Sequence, residues 1–263
     1  MSRRYINSSR LDQLADRLSP KERAILLTLQ QVRLASASQL GRLHFVGKTS
    51  RYRTMVLKRL ADRGLVARLD RTVGSHRAGS AGYLYAMSTA GQRLIDRTSD
   101  GPLRRVTTPG TLFVAHTLAV TELVVRLREA ERRGGFEILD FETEPQCWRS
   151  HPGPGGATVT CKPDAYLRLG IGAYEDSWFL EIDLASEGPT TLTRKLDAYR
   201  RYWASGLEQA RRGVFPRVLW LVPNLRRHQV VVDACGRQPA ESWQLHQLTL
   251  YDDAVGLITG GES

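Results

Sequence analysis

Apolar positions in the first hundred residues recur at helical spacing. Leu11, Leu14 and Leu18 repeat at three and four, and the pattern restarts behind Ser19-Pro20-Lys21-Glu22, a cap, first-turn proline and N3 glutamate. Ile25, Leu29 and Val32 then form a stripe, so residues 11–35 read as helical. Residues 36–45 predict a second short helix carrying Leu40 and Leu43, broken by Gly47. A third runs over 49–63, with Tyr52, Val56 and Leu60 on one face and Gly64 at its end. Residues 65–69 and 83–87 read as paired strands joined by a Gly/Ser loop over 74–80, and 88–94 start another helix.

Turn-rich stretches at 98–102 and 107–110 predict a domain boundary between residues 105 and 106. Beyond it, residues 112–133 form a strong helix with His116, Val120, Leu123 and Leu127 on one face. Strands are expected at 136–141, 165–169, 178–184, 218–222 and 245–250, helices at 189–203 and 225–234, and a loop at 151–156 that is hairpin-like over 153–156. The fold class is therefore α+β, two domains of residues 1–105 and 106–263, the second a mixed α/β domain around a central sheet.

Charge gives the first domain a role. Residues 1–105 hold 21 Lys and Arg against 7 Asp and Glu, a surplus of 14, whereas residues 106–263 hold 17 against 20, a deficit of 3. A basic domain fused to a near-neutral one predicts a polyanion partner. On the third helix Arg51, Thr54 and Lys58 share the face opposite the apolar one, flanked by Lys48 and Arg59. Three helices followed by a hairpin is the order of a winged helix-turn-helix. Such a helix docks by its apolar side and offers the basic side to the major groove, while Arg77 at the hairpin tip meets phosphate or the minor groove. Double-stranded DNA is the expected partner. Residues 57–66 also resemble the recognition helix and first wing strand of many winged-helix regulators.

Several classes are set aside. No apolar run of ~18 residues predicts a membrane span, and the basic start lacks the apolar region of a secretion signal. Cys147, Cys161 and Cys235 are widely spaced, with no Cys-x-x-Cys pair, which suits a reducing cytoplasm. The six histidines show no His-x-His metal cluster, and no phosphate loop with its Gly-Lys-Ser/Thr is present.

The second domain carries a constellation of acids. Asp164 opens one strand, and Glu181 and Asp183 lie in the next, about 6.6 Å apart on one side of it. Carboxylates amid Phe179, Leu180, Ile182 and Leu184 are costly to bury without a cation or donors. Asp164 makes a third acidic group, and hard oxygen ligands grouped this way suit Mg2+ or Mn2+. On the following helix Leu192, Lys195, Tyr199 and Tyr202 form one stripe, which brings Lys195 over the sheet; the tyrosines read as packing residues.

Pro163-Asp164, then 16 residues, then Glu181-Ile182-Asp183, then Lys195 on a helix resembles the PD-(D/E)xK nuclease-like superfamily. The fuller match, from Lys162 to Tyr166, Phe179 to Asp183 and Arg194 to Tyr199, is similar to the replication-relaxation family of plasmids and other mobile elements. The resemblance implies a winged helix joined to a nuclease-like domain. Asp164, Glu181, Asp183 and Lys195 would be its catalytic residues, in site-directed DNA nicking during replication or conjugative transfer. It implies Asp164 and Glu181 as the ligands of the Mg2+ or Mn2+; a second copy of the chain and other replication or transfer proteins are further expected partners. Asp183 departs from the pattern, for it stands where an active nuclease carries Lys. Two readings follow: Lys195 substitutes from the helix, or the domain is vestigial and the chain is a non-catalytic regulator or initiator. In the vestigial case Lys195 pairs with Glu181 or Asp183 to fix helix against sheet.

Overall fold

A computed structural model describes residues 13–69, 83–96 and 110–260. The loop over 74–80 with Arg77, and the expected boundary between 105 and 106, lie outside the described residues. The chain is α+β and divides into two compact units, residues 1–125 and 126–263. Among the described residues no helix is long and apolar enough to cross a membrane.

In the first unit, α1 (Pro20–Val32) starts at the expected capping box, with Ser19 and Glu22 satisfying each other's backbone. It buries Ile25, Leu26, Leu29 and Val32. Arg33 then turns at φ 68°, and Leu34–Ser36 forms strand β1. The sequence reading carried the helix through these residues, because three residues are too few to show a strand alternation. A second capping box, Ser36 with Gln39, opens α2 (Ala37–His44). Thr49 caps α3 (Ser50–Asp62). Its buried stripe is Val56, Leu57 and Leu60, whereas Tyr52 is 37% exposed and rests its edge on Phe45.

Gly64, at φ 71°, reverses the chain into β2 (Val66–Leu69), antiparallel to β3 (Leu84–Met87), which also pairs with β1. The sheet order is β1-β3-β2. Ser88 caps α4 (Thr89–Ile95), where Gly91 lies so close to the Leu65 carbonyl that a Cβ would stand 2.2 Å from its oxygen. The long helix α5 (Thr111–Glu131) follows, and the division between units falls within it.

The second unit is built on a five-stranded sheet of order β10-β9-β8-β7-β4. Strand β7 (Ala165–Ile171) runs antiparallel to both its neighbours, β4 (Glu137–Thr143) and β8 (Tyr174–Ile182). Strands β8, β9 (Arg217–Val222) and β10 (His246–Leu250) are parallel. Parallel neighbours need crossovers, supplied by α6 (Pro189–Ala204) with the short α7 (Leu207–Arg212), and by α8 (Leu225–Gly236). Helix α9 (Ala254–Thr259) ends the described chain. The hairpin-like loop over 153–156 joins two short strands the sequence did not mark, Arg149–Pro152 (β5) and Thr158–Cys161 (β6), which pair antiparallel. One core joins Phe179, Val218, Trp220 and Val222 of the sheet to Leu192, Leu196 and Tyr199 of α6 and Val231 of α8.

Candidate functional site

The acidic constellation assembles where β7 begins and β8 ends, a consequence of their antiparallel pairing. Asp164 immediately precedes β7, and its backbone N–H donates to the Leu180 carbonyl. The Asp164 Oδ2 accepts from the Ile182 N–H at 2.7 Å. Strand alternation turns Phe179 and Glu181 to the face that α6 covers. On that helix Lys195 and Tyr199 are four residues apart, hence on one face. Both reach Glu181: Lys195 Nζ donates to Oε2 at 2.8 Å and the Tyr199 hydroxyl to Oε1 at 2.5 Å. Glu181 is 1% exposed.

Burial pushes the Glu181 carboxyl up to about 7; the Lys195 ammonium pulls it down and Asp164 adds to the rise. Burial works against the Lys195 ammonium, but Glu181 and Asp164 outweigh it and hold the amine charged. The Tyr199 hydroxyl is raised well above its ordinary value by burial and by Glu181, so it stays a donor. Beside it, burial lowers His246 to about 4, leaving a neutral ring edge-on to Tyr199.

Asp183 is drawn elsewhere. It follows β8 and accepts from the Ala185 N–H at 2.6 Å and from Arg227 Nε of α8 at 2.8 Å, with a terminal guanidinium nitrogen 2.7 Å from the same oxygen. Arg227 also donates to the Glu187 carbonyl at 2.8 Å. The structure thus joins Glu181 to Lys195 and ties Asp183 to an arginine. Glu187, whose Oε1 lies 2.9 Å from Lys195 Nζ, is a member the sequence did not mark. Tyr199, expected only to pack, is also a donor.

The fit to a divalent cation is poor in this arrangement. Both Glu181 oxygens are engaged, and so is Asp164 Oδ2. Among the described residues no group of three or more His, Cys, Asp or Glu is placed to hold a metal ion. An ion there would have to share or displace the donors already on these oxygens, Lys195 and Tyr199 on Glu181 and the Ile182 N–H on Asp164.

A second buried ionic cluster anchors the β5–β6 hairpin. Glu208, fully buried, meets the Tyr202 hydroxyl, Arg212 at 3.0 Å and Arg149 at 3.6 Å, and Arg149 also bonds Glu142 at 2.8 Å.

In the first unit the expected basic face separates into two sets. Lys48, Arg51, Thr54 and Lys58 are exposed. Lys48 and Arg51 have no ion-pair partner among the described residues, and Lys58 pairs with the equally exposed Asp62 at 2.7 Å. The Thr54 hydroxyl is spent on the Ser50 carbonyl. Arg59, half-exposed, is instead engaged by a buried acid: its Nε donates to Glu22 at 2.8 Å, where Arg63 joins at 3.1 Å. Burial raises the Glu22 carboxyl, but the Ser19 backbone and Arg59 outweigh it and hold it low.

No curated protein and no solved structure matches the chain. The profile of one family, described as replication-relaxation, matches residues 26–218. That span is more than half of the chain and takes in α3, Asp164, Glu181 and Lys195. The chain belongs to the replication-relaxation family.

Proposed function

We propose that this chain is a duplex-DNA-binding protein acting in replication, in which a winged-helix unit engages the DNA and a nuclease-like domain holds its acidic centre as a closed ionic network. One observation carries the reading: α3 buries Val56, Leu57 and Leu60 while Lys48, Arg51 and Lys58 stand exposed. A helix so divided is anchored by one side and free to neutralise phosphates with the other. Three helices ahead of the β2–β3 hairpin support the winged-helix assignment. The series β4, β7, β8, α6, β9 supports the nuclease-like one. Lys58 remains available because an exposed i,i+4 pair contributes only about 0.3–0.5 kcal/mol.

Fluorescence anisotropy with a labelled duplex tests the proposal. The wild-type chain binds, and the double substitution Arg51→Ala, Lys58→Ala weakens binding at least about tenfold at low salt. Equal affinity of the two proteins ends the reading.

A second reading, cleavage of a phosphodiester at Asp164, Glu181 and Lys195, rests on a helix lysine standing beside the acidic centre, an arrangement the vestigial reading shares. Supercoiled plasmid incubated with Mg2+ and the chain reports it as nicked circles. Absence of nicking by the wild type, or equal nicking by Glu181→Ala, removes it.

A further inference from the structure

We propose that residues 183–188 form an internal strap, in which the Glu187 carboxylate meets the Lys195 ammonium where a phosphodiester oxygen of DNA would otherwise sit. Lys195 faces two carboxyl groups, Glu181 at 2.8 Å and Glu187 at 2.9 Å. They differ in what holds them. Glu181 lies in β8, hydrogen-bonded to β7 on one side and β9 on the other, and cannot leave without breaking the sheet. Glu187 comes from the connection between β8 and α6, and its side chain is 28% exposed.

The strap carries two marks of a contact made to be exchanged. Its second carboxylate oxygen, Glu187 Oε2, is buried with no hydrogen-bond partner among the described residues, and an unpaired buried acceptor is costly. Ala185 holds a φ of 60°, a left-handed backbone conformation that L-residues rarely adopt. Asp183 and Arg227 keep it there: Asp183 accepts from the Ala185 N–H, and Arg227 bonds both Asp183 and the Glu187 carbonyl. A phosphodiester brings its own negative charge to Lys195 and leaves Glu187 free to turn into solvent. The strap therefore competes with nucleic acid for the Lys195 ammonium.

The identity of the anion rests on the proposal that the chain binds DNA, so the test separates the two. The full chain is pulse-labelled with acetic anhydride, with and without a duplex oligonucleotide, and acetylation of Lys195 and Lys58 is quantified by mass spectrometry. In Glu187→Gln, Lys195 is acetylated about fivefold faster than in wild type. The duplex then slows Lys195 acetylation in the variant more than in wild type. Equal rates in wild type and variant overturn the strap, and so does a duplex that leaves Lys195 unchanged in the variant. Protection of Lys58 reports docking on α3 independently. Lys58 protected with Lys195 indifferent sinks the strap alone, whereas Lys195 protected with Lys58 indifferent sinks the α3 reading and keeps the strap. Glu187→Ala repeats the measurement, with circular dichroism to show that both variants keep the wild-type fold.

Discussion

Glu22 accepts a hydrogen bond from Arg59 at 2.8 Å, and that bond divides the cations of α3 by role. Arg59 fastens α3 to α1, while Arg51 and Lys58 face outward. Arg51→Ala is expected to lower the slope of log affinity against log salt by about 1, with little change in melting temperature. Arg59→Ala is expected to leave that slope unchanged and to cost about 1 kcal/mol of stability, since Glu22, 1% exposed, keeps only Arg63 and Ser19. Salt titrations and thermal melts of both variants check the assignment; equal slopes in the two would reject it.

The acidic centre makes stability depend on pH. Glu181 titrates near 7 in the folded chain against an ordinary 4.5, so the folded state binds more protons than the unfolded one between those values. Stability from this group is complete below 4.5 and is lost as pH rises through 7. Glu181→Gln removes the titration. The stability of wild type relative to this variant is therefore expected to fall between pH 5 and pH 8. Urea denaturation at the two pH values measures it, and a difference that stays constant or grows with pH contradicts the expectation.

Asp183 and Arg227 are both nearly buried, and each leaves the other stranded when removed. Arg227→Met is expected to destabilise the chain by about 3 kcal/mol. Asp183→Asn in the same molecule restores part of that, because the uncompensated carboxylate is gone. A double-mutant cycle by chemical denaturation reads the coupling, and additive losses would show that the pair is not a unit.

Gly91 answers a steric demand. A Cβ there stands 2.2 Å from the Leu65 carbonyl oxygen and 2.8 Å from Met87 Cγ. The backbone of the β2 entrance must move to accept it, so Gly91→Ala is expected to cost about 1–3 kcal/mol despite alanine's better helix propensity. A thermal melt equal to wild type would mean that α4 shifts freely.

What the sequence showed follows from how local each signal is. The capping box of Ser19 and Glu22 acts within one turn, and the start of α1 could be read directly. Glu181 and Lys195 were found together because strand parity and helix spacing each fix a face. Arg227 and Glu187 left no such trace. Arg227 meets Asp183 across 44 positions, and a glutamate in a connecting loop looks like any solvated acid. Arg59 reads as part of a basic face until Glu22, from another helix, claims it. The strands Leu34–Ser36 and Arg149–Pro152 are too short for alternation to register, so pairing partners alone define them.

The position of β8 between two bonded neighbours has a consequence for how this centre can evolve or be controlled. The carboxylate it bears is an immobile reference point, set by the sheet. Adjustment falls to the groups that approach from above it, the amine of one helix and the acid of one connection. A change of state at this spot is thus a change of company around a stationary charge.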